Sequence, residues 1–301
     1  MRRSNSILEE FKGAFQKQNN THVQLILINI AIFLILGIIS VFGDWFSSIN
    51  VLSTFLHNQF AIPSAFNEFI TRPWTLVTYM FMHGGIFHLL FNMLWFYYFA
   101  RLIVEYLGTD KLLSIYILGG ISGGLLYLVM YNFIPFYSNA TIMVGASAAI
   151  NAVIVAAAVL LPNYTFYLMF FGPVKIKYIA LFFVAISFLS ITGGNAGGNI
   201  AHLGGAGFGY LFIRQLNNGN DIGQWVISTL NFFKSFFVRQ PKMTVNYSDK
   251  KTRAGKKSNT NNKPHSPNQS EIDAILDKIS QSGYESLSTE EKEKLFNASK
   301  K

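Results

Sequence analysis

Long apolar runs, separated by short polar segments, dominate the pattern of this chain. They cover about 22–42, 86–100, 112–132, 142–161, 176–191 and 200–213. A helix that spans a bilayer needs roughly 17 to 25 mostly apolar residues, and uncharged flanking residues extend the shorter runs towards that length. The pattern therefore predicts an all-α integral membrane protein, with a bundle of six transmembrane helices over residues 22–214.

Composition supports a membrane protein. Hydrophobic residues make up 51% of the chain and charged residues only 13%, far below the quarter or so expected of a soluble domain. Arg2 and Arg3 precede the first run, but a signal-peptide cleavage site of small residues is missing and further runs follow, so we predict a retained helix. Because the chain has no cysteine, disulfides, thiolate nucleophiles and cysteine-ligated zinc are excluded.

The distribution of lysine and arginine predicts the orientation, since positively charged loops stay on the cytoplasmic side. Basic residues precede the first run, lie between the second and third and between the fourth and fifth, and mostly follow the sixth. The loops on the other side contain only Arg72. Six crossings with both termini in the cytoplasm fit this pattern, and we expect a multi-pass protein of a bacterial inner membrane. The net charge of +9 then requires no nucleic-acid partner.

Outside the apolar runs, the chain divides by composition. Residues 1–21 are predicted to be a cytoplasmic N-terminus. The outer loop 43–82 mixes aromatic and polar residues, which suits the headgroup interface; it is either an ordinary amphipathic connector or a segment that contacts substrate. Residues 215–240 are predicted to be an amphipathic juxtamembrane segment, and the polar, basic residues 241–269 a disordered linker.

The last segment, 270–301, is predicted to be a small helical hairpin. Apolar residues recur there at helical spacing, Gly283 is placed to end the first helix, and Ser288 with Glu291 forms a capping-box pattern before the second. We interpret this hairpin as a docking module for a protein partner.

The few acidic residues of the apolar region exclude several functions. Between residues 73 and 213 the only carboxylates are Glu105 and Asp110, at the inner end of the second run. An aspartyl intramembrane protease needs paired carboxylates in the membrane, and an ion-coupled transporter usually keeps at least one there. His83 and His88 are five residues apart and so do not share one helix face, unlike the zinc-binding HExxH pattern. The residues therefore provide no recognisable zinc-ligand set.

The remaining polar residues of the apolar runs share one depth. In the predicted topology the second, fourth and sixth helices descend from the outer face, and the polar residues lie within the first few turns of each. At about 1.5 Å per residue this places His88, Asn92, Ser147 and His202 in one layer, roughly 5 to 15 Å below the outer surface. Each residue alone has a packing interpretation, because serine and asparagine often join membrane helices, but their common depth favours a site. They are His83, His88, Asn92, Ser147, Asn151 and His202.

Serine and histidine at one depth form a possible hydrolytic pair. A serine hydroxyl needs a base, and histidine is the commonest neutral one near pH 7. His88 and Asn92, four residues apart on one helix face, are candidate oxyanion donors beside the backbone N–H of Ser147. Because this layer contains no carboxylate, the sequence predicts a dyad of Ser147 and His202.

Small residues explain how the two catalytic candidates could meet. Gly205 and Gly209 follow His202 on roughly the same helix face, and the fourth run offers Ala148 and Ala152. Helices lined by small residues pack backbone to backbone. We therefore expect the fourth and sixth helices to bring Ser147 within hydrogen-bond reach of His202.

From about Trp74 to Tyr210 the chain resembles the rhomboid family of intramembrane serine proteases. "HGGIFHLLFN" is similar to the family's H-x4-H-x3-N segment, "GAS" to its GxS nucleophile motif, and "AHLGGAGFG" to its A-H-x2-G-x3-G helix. The resemblance implies an endopeptidase that cuts transmembrane protein substrates near the outer face and uses no cofactor. By position, it implies the nucleophile Ser147, the general base His202, the oxyanion donors His88 and Asn92, and the supporting residues His83 and Gly145.

Two departures from the family pattern leave alternatives open. Ala148 follows the nucleophile where the family usually has glycine, and its methyl group could crowd the helix contact. Asn151 replaces an aromatic residue that commonly packs on the catalytic histidine, and this change could loosen His202. The alternatives are a catalytically silent rhomboid-like protein that binds membrane clients and, more distantly, a channel or carrier for small solutes.

Overall fold

A computed structural model of the chain describes residues 13, 20–45, 50–137, 141–168, 172–237 and 269–298. The chain consists of two compact units, residues 1–240 and 241–301. Most of the predicted cytoplasmic N-terminus and the predicted linker up to residue 268 lie outside the described residues.

The first unit is built mainly from helices. In chain order they are α1 Thr21–Trp45, α2 Asn50–Phe60, α3 Phe66–Thr71, α4 Thr75–Thr78, α5 Ile86–Leu107, α6 Thr109–Phe133, α7 Ser147–Leu160, α8 Ile176–Leu189, α9 Ala196–Asn217 and α10 Gln224–Phe237. Two short antiparallel strand pairs accompany them: β1 (Ile62–Pro63) pairs with β2 (Ile142–Met143), and β3 (Thr165–Leu168) pairs with β4 (Gly172–Lys175).

Each predicted apolar run contains a helix, but the helices differ in length. By length and composition α1, α5 and α6 are able to cross a membrane, while α7 and α8 are shorter apolar helices. Each of these two has 14 residues, so it is about 21 Å long, less than the roughly 30 Å of a bilayer core. The helical architecture is that of a membrane bundle. The number of membrane crossings, and the side of the membrane on which the termini lie, remain predictions.

The centre of the bundle is α7, which contacts α5, α6, α8 and α9. Every residue from Ala148 to Ala158 is buried. A Cβ atom added to Gly205 of α9 would lie 2.0 Å from the carbonyl oxygen of Ala148, and one added to Gly209 would lie 2.1 Å from that of Ala152. The predicted backbone-to-backbone packing of these two helices is therefore confirmed.

A network of buried polar groups joins α1 and α6 to the segment before α5. The hydroxyl of Tyr79 donates to the carbonyl of Gly120 at 2.7 Å, and that of Tyr116 donates to the carbonyl of Met80 at 3.3 Å. Asn29 of α1 reaches the Tyr116 hydroxyl at 3.5 Å. Since water is scarce at this depth, such pairing satisfies groups that would otherwise be costly to bury.

The predicted juxtamembrane segment contains α10. The residues just before α10 contact the first part of α6. Lys111 of α6 forms an ion pair with Asp221, and the Ser114 hydroxyl donates to the carbonyl of Gly223 at 3.0 Å. Val226 is buried, whereas several large side chains of α10 are exposed: Trp225, Leu230, Phe232, Phe233 and Phe236. The polar residues Gln224, Ser228, Asn231 and Ser235 recur at helical spacing along another face, so α10 is amphipathic.

In the second unit, α11 (Gln269–Ser282) and α12 (Thr289–Ala298) are separated by a short turn. Gly283, at φ +76°, follows α11. The backbone N–H of Ser288 donates to the Glu291 carboxylate at 2.7 Å, and the N–H of Glu291 donates to the Ser288 hydroxyl at 3.3 Å, which confirms the predicted capping box. Accepting this backbone hydrogen bond, with help from Lys278, lowers the pKa of Glu291 below its ordinary value.

The helix contact predicts that Gly205→Ala destabilises the protein. The added methyl group would meet the Ala148 backbone, so the helices must separate, at a cost of about 1 to 3 kcal/mol. The control is Gly207→Ala, in the same helix, where a Cβ atom meets nothing within 4 Å. We expect a lower thermal unfolding temperature in detergent for Gly205→Ala alone. Equal unfolding temperatures for both variants would contradict the packing argument.

Candidate active site

The turn before α7 determines where its first residue lies. Strand β2 is held by β1, with Met143 opposite Ile62, and the N–H of Gly145 donates to the carbonyl of Tyr79 at 2.9 Å. Gly145 has φ +134°, a conformation that side chains disfavour, and a Cβ atom there would lie 2.9 Å from the His88 ring. The turn therefore requires glycine, and it places Ser147 at the first position of α7.

The structure brings Ser147 and His202 together. The hydroxyl oxygen of Ser147 lies 2.7 Å from Nε2 of His202, although the residues belong to different helices, α7 and α9. The carbonyl of Ala148 packs against Gly205, about one helical turn after His202. The two backbones are therefore close enough for the side chains of Ser147 and His202 to meet. The predicted contact is confirmed.

His202 has a second hydroxyl partner that the sequence analysis missed. The hydroxyl oxygen of Ser187, on α8, lies 3.2 Å from Nδ1 of His202, and Ser187 is only 3% exposed. The predicted layer included only residues of helices that descend from the outer face. The sequence offered one signal for this contact. Ser187 is a polar residue near the outer end of the fifth run, which crosses from the inner to the outer face and therefore ends in the same layer.

The two candidate oxyanion donors line the cavity that contains Ser147. This cavity of about 410 Å³ is bordered by His88, Asn92, Ser147, Asn151 and His202 among others. Asn92 is 8% exposed, and its Nδ2 has no hydrogen-bond partner within the described residues. An amide N–H group in that position is free to bind an oxyanion.

The candidate supporting residues occupy distinct places. His83 is buried and packs edge-on against His88, with ring centroids 5.2 Å apart, so it restricts the His88 ring. Gly145 shapes the turn before the nucleophile, and Gly205 and Gly209 set the distance between α7 and α9. These contacts place His83 and Gly145 beside His88, and Gly205 and Gly209 at the interface of α7 and α9.

The methyl group of Ala148 faces α6 at Gly123. A Cβ atom added to Gly123 of α6 would lie 2.6 Å from the Cβ of Ala148, so the absence of a side chain at Gly123 makes room for the alanine methyl group. The side chain of Asn151 binds the backbone of its own helix: its Nδ2 donates to the carbonyl of Ser147 at 2.9 Å. Among the ring contacts of the described residues, none involves His202.

This arrangement can activate a hydroxyl without a metal ion. Nε2 of His202 can take the proton of Ser147 as the oxygen attacks an electrophilic carbon. His88 and Asn92 offer N–H groups beside the nucleophile, as stabilisation of an oxyanion requires. In the described part of the chain, no group of three or more histidine, aspartate or glutamate side chains could hold a metal.

Two family models match parts of the chain. Residues 71–217 match the Rhomboid domain, and residues 259–301 match a family of unknown function (DUF6576). The chain is 32% identical to RHOMBOID-like protein 12, mitochondrial, of Arabidopsis thaliana over 55% of its length and 52% of that protein. It is 35% identical to the Rhomboid protease GlpG of Salmonella newport over 17% of its length and 18% of that protein. The chain thus spans about half or less of these curated relatives.

We predict that a fluorophosphonate or isocoumarin labels Ser147, because its hydroxyl is hydrogen-bonded to a neutral base. Labelling should disappear in His202→Ala and should be unchanged by EDTA. Mass spectrometry of the labelled peptide identifies the modified residue. Labelling at another serine, or loss of labelling with EDTA and its return with zinc, would contradict this chemistry.

Proposed function

The chain is a rhomboid-family membrane protein, and on that premise we propose that it is an intramembrane serine endopeptidase with Ser147 as nucleophile and His202 as general base. The observation that carries the proposal is the 2.7 Å contact between the Ser147 hydroxyl and Nε2 of His202. This contact lies in a cavity that also contains two candidate oxyanion donors.

In the proposed mechanism, the Ser147 oxygen attacks the scissile carbonyl carbon while its proton passes to Nε2 of His202. The resulting oxyanion accepts hydrogen bonds from His88, Asn92 and the backbone N–H of Ser147. His202 then gives the proton to the leaving amine, and an acyl-enzyme remains on Ser147. Water, deprotonated by His202, hydrolyses this ester and restores the hydroxyl.

The position of Ser147 at the N-terminus of α7 supports its assignment as the nucleophile. The first N–H groups of a helix have no partner within the helix, and the helix dipole is positive at this end. Both features favour negative charge near Ser147 during the attack. The turn at Gly145 exposes the hydroxyl to the cavity, instead of burying it between helices.

We propose transmembrane proteins as substrates, cut near the outer face. Residues of the α5 surface beside the site, such as Phe87 and Phe91, are exposed and border the site cavity, so a segment could approach from the lipid. A helical peptide bond is shielded, and small or helix-breaking residues lower the cost of unwinding it. We expect such residues close to the cleaved bond.

The protein resides in a membrane, and we propose that this is a bacterial inner membrane with both termini in the cytoplasm. The positions of the lysine and arginine residues support this orientation. RHOMBOID-like protein 12 is named as mitochondrial, so organelle membranes of related topology are the alternative. We further propose that the hairpin of α11 and α12 binds a protein partner.

We predict that Ser147→Ala abolishes cleavage and leaves membrane insertion unchanged, because the variant loses one hydroxyl and breaks no ion pair. His202→Ala should match it, and the double variant should be no worse, since the two residues act as a unit. The assay separates fragments of a tagged transmembrane substrate incubated with each purified protein.

A matched control is Ser228→Ala, an exposed serine of α10, which should cleave like the wild type. Cleavage by Ser147→Ala above the level of contaminating proteases would exclude the proposed nucleophile. Wild-type protein that binds several substrates and cuts none would instead favour the silent, client-binding alternative.

We also predict that Asn92→Ala and His88→Ala each lower kcat roughly a hundredfold or more, the usual effect of removing one oxyanion donor. Their KM should change little, because the hydrogen bonds form mainly with the transition state. Steady-state kinetics of the folded variants measure this, with the exposed Asn217→Ala as control. Unchanged kcat in both variants would show that these residues only pack helices.

A further inference from the structure

We propose that Ser187 is a positioning residue that holds His202 in the tautomer and orientation needed for general-base catalysis. This inference rests on the proposed function. It is suggested by a chain of three side chains, in which the imidazole of His202 on α9 lies between the hydroxyls of Ser147 on α7 and Ser187 on α8.

The contact places Ser187 where a third member of a catalytic site would act. Its hydroxyl oxygen lies 3.2 Å from Nδ1 of His202, on the side of the ring opposite the nucleophile. Ser187 is 3% exposed, so water does not compete freely for this hydrogen bond. The adjacent α8 residues Ile186 and Phe188 are exposed, which means that Ser187 is on the face turned towards the bundle.

Elementary acid–base chemistry fixes the roles in this chain. To accept the proton of Ser147, Nε2 of His202 must be unprotonated, so the single proton of the neutral ring belongs on Nδ1. That N–H then donates to the Ser187 oxygen. A ring flipped or protonated on Nε2 could not act as the base. The Ser187 oxygen favours the productive state because it offers Nδ1 an acceptor.

The same hydrogen bond strengthens during the reaction. When His202 takes the proton of Ser147 it becomes an imidazolium, and hydrogen bonds from charged donors are about twice as strong as neutral ones. The only carboxylates between residues 73 and 213 are Glu105 and Asp110. In the predicted topology they lie at the inner end of the second run, away from the layer that contains His202. A serine hydroxyl therefore takes the position that a carboxylate occupies in a catalytic triad, without its full charge.

Asn151 increases the importance of this contact. The side chain of Asn151 is directed to the carbonyl of Ser147 and not to His202. The hydrogen bonds that orient the His202 ring therefore come from its two hydroxyl partners. With Ser187 removed, Nδ1 would lose its acceptor and the ring would be free to adopt the wrong tautomer.

The test compares Ser187→Thr with Ser187→Val, two side chains of nearly equal size that differ in the hydroxyl. We expect Ser187→Thr to keep most of the wild-type kcat, and Ser187→Val and Ser187→Ala to lose about ten- to a hundredfold, with KM unchanged. The control is Ser190→Ala at the end of α8, whose carbonyl, not its hydroxyl, accepts a hydrogen bond from Asn199. Equal kcat for the Thr and Val variants would overturn the inference.

A second measurement does not depend on cleavage. In protein with 15N-labelled histidine, the ring nitrogens of His202, assigned by their loss in His202→Ala, should show a proton on Nδ1 in the wild type. In Ser187→Ala this preference should weaken. A wild-type ring protonated on Nε2, or one insensitive to Ser187, would overturn the inference even in an active protease. Failure of wild-type protein to cut any substrate would count against the proposed function alone, because the ring-nitrogen signals test the contact between Ser187 and His202 separately.

Discussion

The close contact between the backbones of α7 and α9 is the constraint on which the rest of the site depends. In lipid, helices gain little from burying apolar surface, so they associate through tight packing and hydrogen bonds. Gly205 and Gly209 allow the carbonyls of Ala148 and Ala152 to pack directly against the backbone of α9. Because serine has a short side chain, Ser147 can meet His202 only at such a separation.

Around this contact, the bundle assembles polar groups in a layer where water is scarce. Hydroxyl, imidazole and hydroxyl follow one another across three helices, and each polar group satisfies its neighbour. The Nδ2 of Asn92 has no such partner among the described residues. A buried donor without an acceptor is unfavourable in the resting protein, and in the proposed mechanism the oxyanion supplies the missing acceptor.

Much of this arrangement could be predicted from the sequence, because apolar length and glycine spacing are local properties. Apolar runs predicted the helices, and the spacing of Gly205 and Gly209 predicted the contact with α7. The fourth run, 142–161, predicts a helix over its whole length, but its beginning is strand β2, since pairing with β1 and the turn at Gly145 delay the start of the helix. Ser187 and the space provided by Gly123 were missed because both depend on which helices become neighbours.

The most direct test of the account is the position of the bond that is cut. Purified protein and a single-spanning substrate would be reconstituted together in liposomes, and mass spectrometry of both fragments would locate the cleaved bond. The account predicts two complementary fragments that meet at a bond in the outer part of the membrane segment, at the depth of the layer that contains Ser147 and His202. Cleavage confined to the inner half or to residues far outside the bilayer would contradict it.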